Sequence, residues 1–323
     1  MAYTIDVHLS PEEVRTQMRA DALLGLQALE KSIPPLWFYD ERGSRLFEEI
    51  TQLPEYYPTR AERALLEAHA PAIAGLAKAD TLVELGAGAC DKTRVLLSAL
   101  QEAGTLTRYV PFDVSDEFLR SAADTLSAEF STLDIHLVIG DFHHHLAEIP
   151  TDGRRMVAFL GGTIGNLDPT QRARFLFDLN CTMSSDDSLL LGTDLVKDRA
   201  RLVAAYDDAA GVTAAFNRNV LHVLNQQLGG DFDPDRFGHV ALWNEDEQWI
   251  EMRLRADEAC EVSLTEAGIS VRFEKGEDVL TEISAKFTPE RIEAELEQAG
   301  FVIEEMWGAE DGEFLLTLAH PYC

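Results

Sequence analysis

The sequence predicts an α/β protein built on a doubly wound, mostly parallel sheet, accompanied by a second, α+β domain. Three observations predict this. From about residue 81, short and nearly continuous apolar runs alternate with amphipathic helices, as strands do when helices cover both faces of their sheet. The first of those runs ends in a Gly-x-Gly turn, Gly86 and Gly88, that opens a helix. After Leu195 the alternation gives way to a long helical stretch and then to segments of period 2, so a different architecture begins there.

Taken along the chain, Ser10-Pro11-Glu12-Glu13 has the residues of a helix start: a capping Ser, a Pro for the first turn and a Glu at the reciprocal capping-box position. That helix is expected to stop before Pro34. Residues 34–60, dense in prolines and aromatic rings but without a period, predict an ordered, irregular cap. The sheet runs are TLVELG (81–86), RYVPFDV (108–114), DIHLVIGDF (134–142), RRMVAFLGG (154–162) and DSLLLGTDL (187–195), and Asp168-Pro169-Thr170-Gln171 starts one connecting helix. Next comes a helix over about 199–228, then WIEMRL (249–254) and VSLTEAGISVRF (262–273), which predict an antiparallel meander. A helix capped by Thr288-Pro289 and closed by Gly300 leads into a hairpin of GFVIEEMW (300–307) and GEFLLTLA (312–319), suited to the far edge of the first sheet. The expected domains are therefore 61–195 with 286–323, and 1–60 with 196–285.

Across 323 residues, 27 Lys+Arg face 57 Asp+Glu, a formal charge of -30. Such a surface repels phosphate backbones and anionic headgroups, which disfavours nucleic acid and membranes as partners. The hydrophobic share of 46% and charged share of 26% are those of an ordinary globular chain with a large core. Cys90, Cys181, Cys260 and Cys323 lie far apart, without zinc or disulfide spacing, and fit reduced thiols. Asp6, Glu12 and Glu13 stand where a signal peptide needs an apolar run, so a cytoplasmic protein is expected, and a monomer.

The residues that carry chemistry cluster at the ends of the apolar runs. Glycines at 86 and 88 permit a tight turn and close approach of a ligand to the backbone. A dinucleotide fingerprint needs a third glycine where this chain has Asp91, and an acid there opposes a pyrophosphate. With Glu84 before the turn and Asp113 at the next strand end, a cofactor without phosphates fits better: S-adenosylmethionine. Asp113 could take both ribose hydroxyls, Asp141 the adenine amine, and Phe142 the adenine ring. The same acids also fit a generic open sheet in which they cap helices. Lys92 in a first helical turn suits a ligand carboxylate better than the helix dipole, or else is an exposed lysine. Asn166 could meet a zwitterion, or be a loop Asn before the Asp168 cap. In LTEIS, period 2 puts Glu282 and Ser284 on one face, Thr281 and Ile283 on the other; the polar face meets either a ligand ring or solvent. Ile250, Met252 and Leu254 share a face that reads as core, with Met252 also a candidate wall of the substrate site. His143-His144-His145 does not converge on one ion, and no metal is expected.

With these residues assembled, the chain resembles the bacterial histidine Nα-methyltransferases of ergothioneine biosynthesis, a branch of the class I methyltransferases. Matching blocks run through nearly the whole chain, among them PPLWFYDERGSRLFEEITQLPEYYPTR (34–60), TLVELGAGACDKTR (81–94), FLGGTIGNL (159–167), AYDDAAGVTAAFNRNVL (205–221), IEMRLRA (250–256) and LTEISAKF (280–287). The resemblance implies a seven-stranded Rossmann-like sheet that binds S-adenosylmethionine, an α+β domain that binds substrate, and transfer of three methyl groups to the α-amine of L-histidine. It implies that Gly86, Lys92, Asp113, Asp141 and Phe142 hold the cofactor. Asn166 and Tyr206 would hold the substrate carboxylate; Tyr56, Glu282 and Ser284 the imidazole; Tyr39 and Gly161 would lie near the amine. Where the family usually has hydroxyl residues, this chain has Ala87, Ala89, Cys90 and Gly162, which bears on cofactor affinity rather than reaction class. The alternatives are methylation of another small amine or another histidine nitrogen, and non-catalytic binding; a dehydrogenase is opposed by Asp91.

Overall fold

The computed structural model describes residues 3–88, 90, 92–309 and 311–322, so Ala89 and Asp91 of the glycine turn, and Cys323, lie outside the described residues. The chain forms two compact units, Met1–Leu9 with Pro58–Val196 and Lys286–Cys323, and Ser10–Tyr57 with Lys197–Ala285. The expected grouping of residues 1–60 is corrected at both ends. Tyr3–Val7 pairs in parallel with Asp134–Ile139 and so belongs to the first unit, and residues 58–60 open the helix Pro58–Ala77 of that same unit.

The first unit is an eight-stranded sheet, one strand more than expected. Its spatial order is Tyr3–Val7, Asp134–Ile139, Arg108–Asp113, Thr81–Leu85, Arg155–Phe159, Ser188–Asp194, Phe314–Pro321, Phe301–Gly308. All pairs are parallel except the two that Phe314–Pro321 makes, which are antiparallel. The additional strand is an edge with Asp6 in it and Val7 exposed, and a charge on an edge discourages further pairing. Every residue of Thr81–Leu85, Arg155–Phe159 and Ser188–Asp194 is buried, which is why those runs are so apolar. The one cation among them, Arg155, is matched by the buried Asp187, whose Oδ2 accepts from Nη2 at 2.6 Å. Thr81–Leu85 lies between the second and fourth strand of its series, at the point where the winding of the sheet reverses. Ligands of such sheets bind beyond the carboxyl ends of the strands at that point.

In the second unit a four-stranded sheet runs in the order Lys31–Ser32, Asp278–Ala285, Trp249–Ala256, Phe237–Asn244. Three readings change here. The expected irregular cap contains a helix, Glu41–Gln52, started by the Asp40 carboxylate, which accepts from the Gly43 N–H at 2.7 Å. The expected helix over 199–228 is two, Arg199–Ala204 and Val212–Leu228, parted at Gly211, whose φ of 77° no right-handed helix contains. The expected meander is divided: Trp249–Ala256 pairs within the four-stranded sheet, whereas Cys260–Leu264 and Ile269–Phe273 form a hairpin of their own. Among the described residues no helix is long and apolar enough to cross a membrane.

Candidate active site

At the carboxyl edge of the first unit the glycine turn is fixed from the neighbouring strand. Gly86 and Ala87 donate their N–H groups to the Phe112 carbonyl at 2.9 and 3.2 Å. Asp113 then accepts from Gly88 N–H through Oδ2 and from Ser115 N–H through Oδ1, both at 2.9 Å. Burial pushes the Asp113 carboxyl above its ordinary value, opposed by these backbone donors. Gly86 and Gly88 have φ of 70° and 51°, and among the described residues beyond its chain neighbours a Cβ on either would meet no atom within 4 Å. Cys90 also has a positive φ, 56°; its thiol is buried, 3.3 Å from the Tyr109 hydroxyl, and burial keeps it protonated.

Behind the turn lies a set of buried acids. Glu84 accepts hydrogen bonds from the Thr93 and Tyr109 hydroxyls. Burial outweighs those bonds and the nearby Lys92, lifting the Glu84 carboxyl from 4.5 to about 7. Its proton is thus held in the folded state where an unfolded chain has released it. Stability from this group is full below about pH 4.5 and lost as pH rises through about 7. Melting temperatures of Glu84→Gln, measured across that window, should decline less than those of the unmodified protein; parallel curves would contradict the assignment.

Lys92, expected to serve a ligand carboxylate, forms an ion pair within the protein, with the fully buried Glu62. The other oxygen of Glu62 accepts from Gly161 N–H at 2.7 Å. Gly161 and Gly162 have φ of 79° and 68°, so the residue that replaces a family hydroxyl sits where glycine is at home. Asn166 ends the short turn Thr163–Asn166 that follows. Asp141 is buried and engaged by its own loop, accepting from His143 N–H and from the His144 ring, both at 2.9 Å. Phe142 rests edge-on against Phe159 and Phe175 at 5.4 and 5.6 Å between ring centres. Among the described residues no three His, Cys, Asp or Glu side chains group as metal ligands.

In the second unit the structure brings the remaining candidates together through aromatic contacts. Tyr39 lies edge-on to Phe47 and Phe216 at 5.8 and 5.6 Å, Phe47 meets Tyr56 at 6.2 Å, and Tyr56 meets Tyr206 at 6.1 Å. Tyr206 Oη is 2.7 Å from Ser284 Oγ. Glu282 stands directly opposite Met252 in the antiparallel pair, which draws Met252 to the same face as the carboxylate. The period-2 reading errs at Thr281: the pairing is bulged between Leu280 and Glu282, and Thr281 and Glu282 are both buried.

Residues that sequence reasoning missed hold this set in place. His239 donates from Nε2 to the Tyr206 carbonyl and accepts at Nδ1 from the Asn217 amide, both at 2.8 Å. Burial lowers its pKa, so it is a neutral ring with one defined tautomer. Asn219 donates to the Phe38 carbonyl at 3.3 Å and to Asp40 at 2.7 Å, bracketing Tyr39. The available signal was polar residues on the apolar stripe of AFNRNVLHV, too weak to separate from an ordinary buried helix.

Known proteins resemble this chain over nearly its full length. A histidine N-alpha-methyltransferase of Mycolicibacterium smegmatis is 52% identical over 319 residues, covering 99% of each chain. One of Mycobacterium tuberculosis is 52% identical over 319 residues at the same coverage. An L-tryptophan methyltransferase of Psilocybe serbica is 28% identical, over 97% of this chain and 96% of that one. Residues 18–321 match the family described as histidine-specific methyltransferase, SAM-dependent, and the chain belongs to that family.

Proposed function

We propose that this protein transfers three methyl groups, one from each of three S-adenosylmethionine molecules, to the α-amine of L-histidine, giving the betaine hercynine for ergothioneine biosynthesis. The observation that carries the reading is the tyrosine set of the second unit beside Glu282 and Ser284. It offers hydroxyls and one carboxylate to an amino acid with a hydrogen-bonding ring. The Gly86–Gly88 turn with Asp113, Asp141 and Phe142 fits the cofactor, which supplies an electrophilic methyl carbon on a sulfonium. The first unit is thus the cofactor domain and the second the substrate domain.

The chain's own task is alignment. By the family resemblance, Tyr206 of the second unit is assigned to the substrate carboxylate, Tyr56, Glu282 and Ser284 to the imidazole and Tyr39 to the amine; in the first unit, Asn166 is assigned to the carboxylate and Gly161 to the amine. A fixed orientation of the amine replaces the entropy of a chance encounter. Each round must release one proton from nitrogen, three in all, and only the third leaves a permanent cation. Tyrosine oxygens tolerate the neutral amine without trapping it as an ion pair, and the Tyr39 ring favours the quaternary product through cation–π attraction.

Tyr39→Phe should leave S-adenosylhomocysteine affinity unchanged and slow the second and third transfers by about tenfold, the range of one lost hydrogen bond. Stepwise rates equal to those of the unmodified protein would remove Tyr39 from the mechanism. The reading as a whole is tested by titration calorimetry with histidine and S-adenosylhomocysteine, then mass spectrometry for mono-, di- and trimethylated histidine. Binding without any methylated product would overturn it.

A further inference from the structure

We infer that Glu62 is a positioning residue for methyl transfer, its single carboxylate tying the cofactor lysine Lys92 and the peptide of Gly161 into one rigid piece. The inference rests on the proposed function and on the family resemblance, which implies that Lys92 holds the cofactor and that Gly161 lies near the amine.

Four observations support it. Glu62 has 0% exposure although it sits on a helix, Pro58–Ala77, that offers many solvated positions. A carboxylate is buried this completely only when its partners justify it. Those partners come from two different strand ends: the Lys92 ammonium on Oε2, and Gly161 N–H on Oε1 at 2.7 Å. The peptide so held is fixed from its other side as well, because the Leu160 carbonyl accepts from Thr163 Oγ1 at 2.9 Å. The adjoining strand makes room for the acid: a Cβ on Gly192 would lie 2.2 Å from Glu62 Oε1. The carboxylate therefore fills a place that the backbone of Ser188–Asp194 keeps free, a fit that an exposed or incidental glutamate would not have.

The physical consequence is coupling. Lys92 carries its charge on a flexible stem, and without a fixed anion its ammonium samples many positions. Gly161 and Gly162 both use left-handed backbone, which glycine enters and leaves at little cost. Glu62 removes both freedoms with one group, at the place where misplacement by about 1 Å costs about 10²-fold in rate.

The test uses the full-length protein labelled with ¹⁵N-glycine, so that Gly161 N–H can be followed without turnover, together with single-turnover methyl transfer. In Glu62→Ala and in Gly192→Ala, exchange of the Gly161 amide hydrogen should quicken at least about tenfold. Transfer should slow by about 10- to 100-fold, with KM for histidine and for S-adenosylmethionine within about threefold of the unmodified values. Lys92→Met should slow transfer while leaving Gly161 protected, and the Glu62→Ala/Lys92→Met pair should be no slower than the slower single variant, because both remove the same contact. Unchanged Gly161 exchange in Glu62→Ala would overturn the inference. So would an unchanged transfer rate in both Glu62→Ala and Gly192→Ala, or rate losses that multiply in the double variant. An unmodified protein that forms no methylhistidine sinks the function proposed above, while the Gly161 exchange still decides whether Glu62 pins that peptide.

Discussion

Asp113→Ala should weaken S-adenosylhomocysteine binding by about 10² to 10⁴-fold, the worth of two charge-assisted hydrogen bonds at roughly 1.5–3 kcal/mol each. The carboxylate does two jobs that the substitution removes together. Within the protein it accepts from the N–H groups of Gly88 and Ser115, so its loss leaves both donors without their acceptor and releases the turn from the strand end that holds it. Toward the cofactor it is the acid proposed for the ribose hydroxyls. Asp113→Asn separates the two, because an amide oxygen still accepts one N–H; about a tenfold loss is expected. Calorimetry measures both, and an Asp113→Ala dissociation constant within threefold of the unmodified protein would refute the cofactor assignment.

The second large effect concerns the choice of substrate. Glu282→Ala should lower kcat/KM for histidine by about 10² to 10³-fold. A buried group that accepts from a ring N–H is worth roughly 2–4 kcal/mol once its charge is included. Selectivity should fall with it, since sites that hydrogen-bond a substrate group reject analogues lacking that group far more steeply than apolar pockets reject a change of size. Steady-state rates with histidine and phenylalanine read out both. If the unmodified protein accepted the two amino acids equally, or if Glu282→Ala left histidine turnover intact, Glu282 would not be the group that recognises the imidazole.

How much of this was legible in the sequence follows from where burial is two-sided. Thr81–Leu85, Arg155–Phe159 and Ser188–Asp194 are buried throughout, so their runs are apolar enough to find by eye. Tyr3–Val7 is half exposed and carries Asp6, and such an edge strand has no comparable signal. Glu41–Gln52 was hidden by the prolines on either side of it, which argue locally for irregular chain although its Asp40 cap is sound. The site divides in the same way. Gly86, Gly88 and Asp113 were visible because tight turns need particular residues. Glu62 was not, since a glutamate between an alanine and an arginine on a helix reads as solvated, and only the packed fold reveals that it faces inward. Met252 reads as core in the sequence, and the register that sets it opposite Glu282 could not be read there.

The bulge at Thr281 lets one strand obey two alternations in succession. Up to Leu280 its odd-numbered position, Val279, points into the core; beyond it the even-numbered Glu282 and Ser284 do. The extra residue is itself secured, Thr281 Oγ1 donating to Asn217 Oδ1 at 2.7 Å and to the Met252 carbonyl at 2.9 Å. The parity switch therefore frees the end of the strand that carries Glu282 and Ser284 from the end that carries Val279. If the proposed function holds, substitutions at 282 and 284 should change which side chain is accepted without disturbing the phase on which the sheet depends.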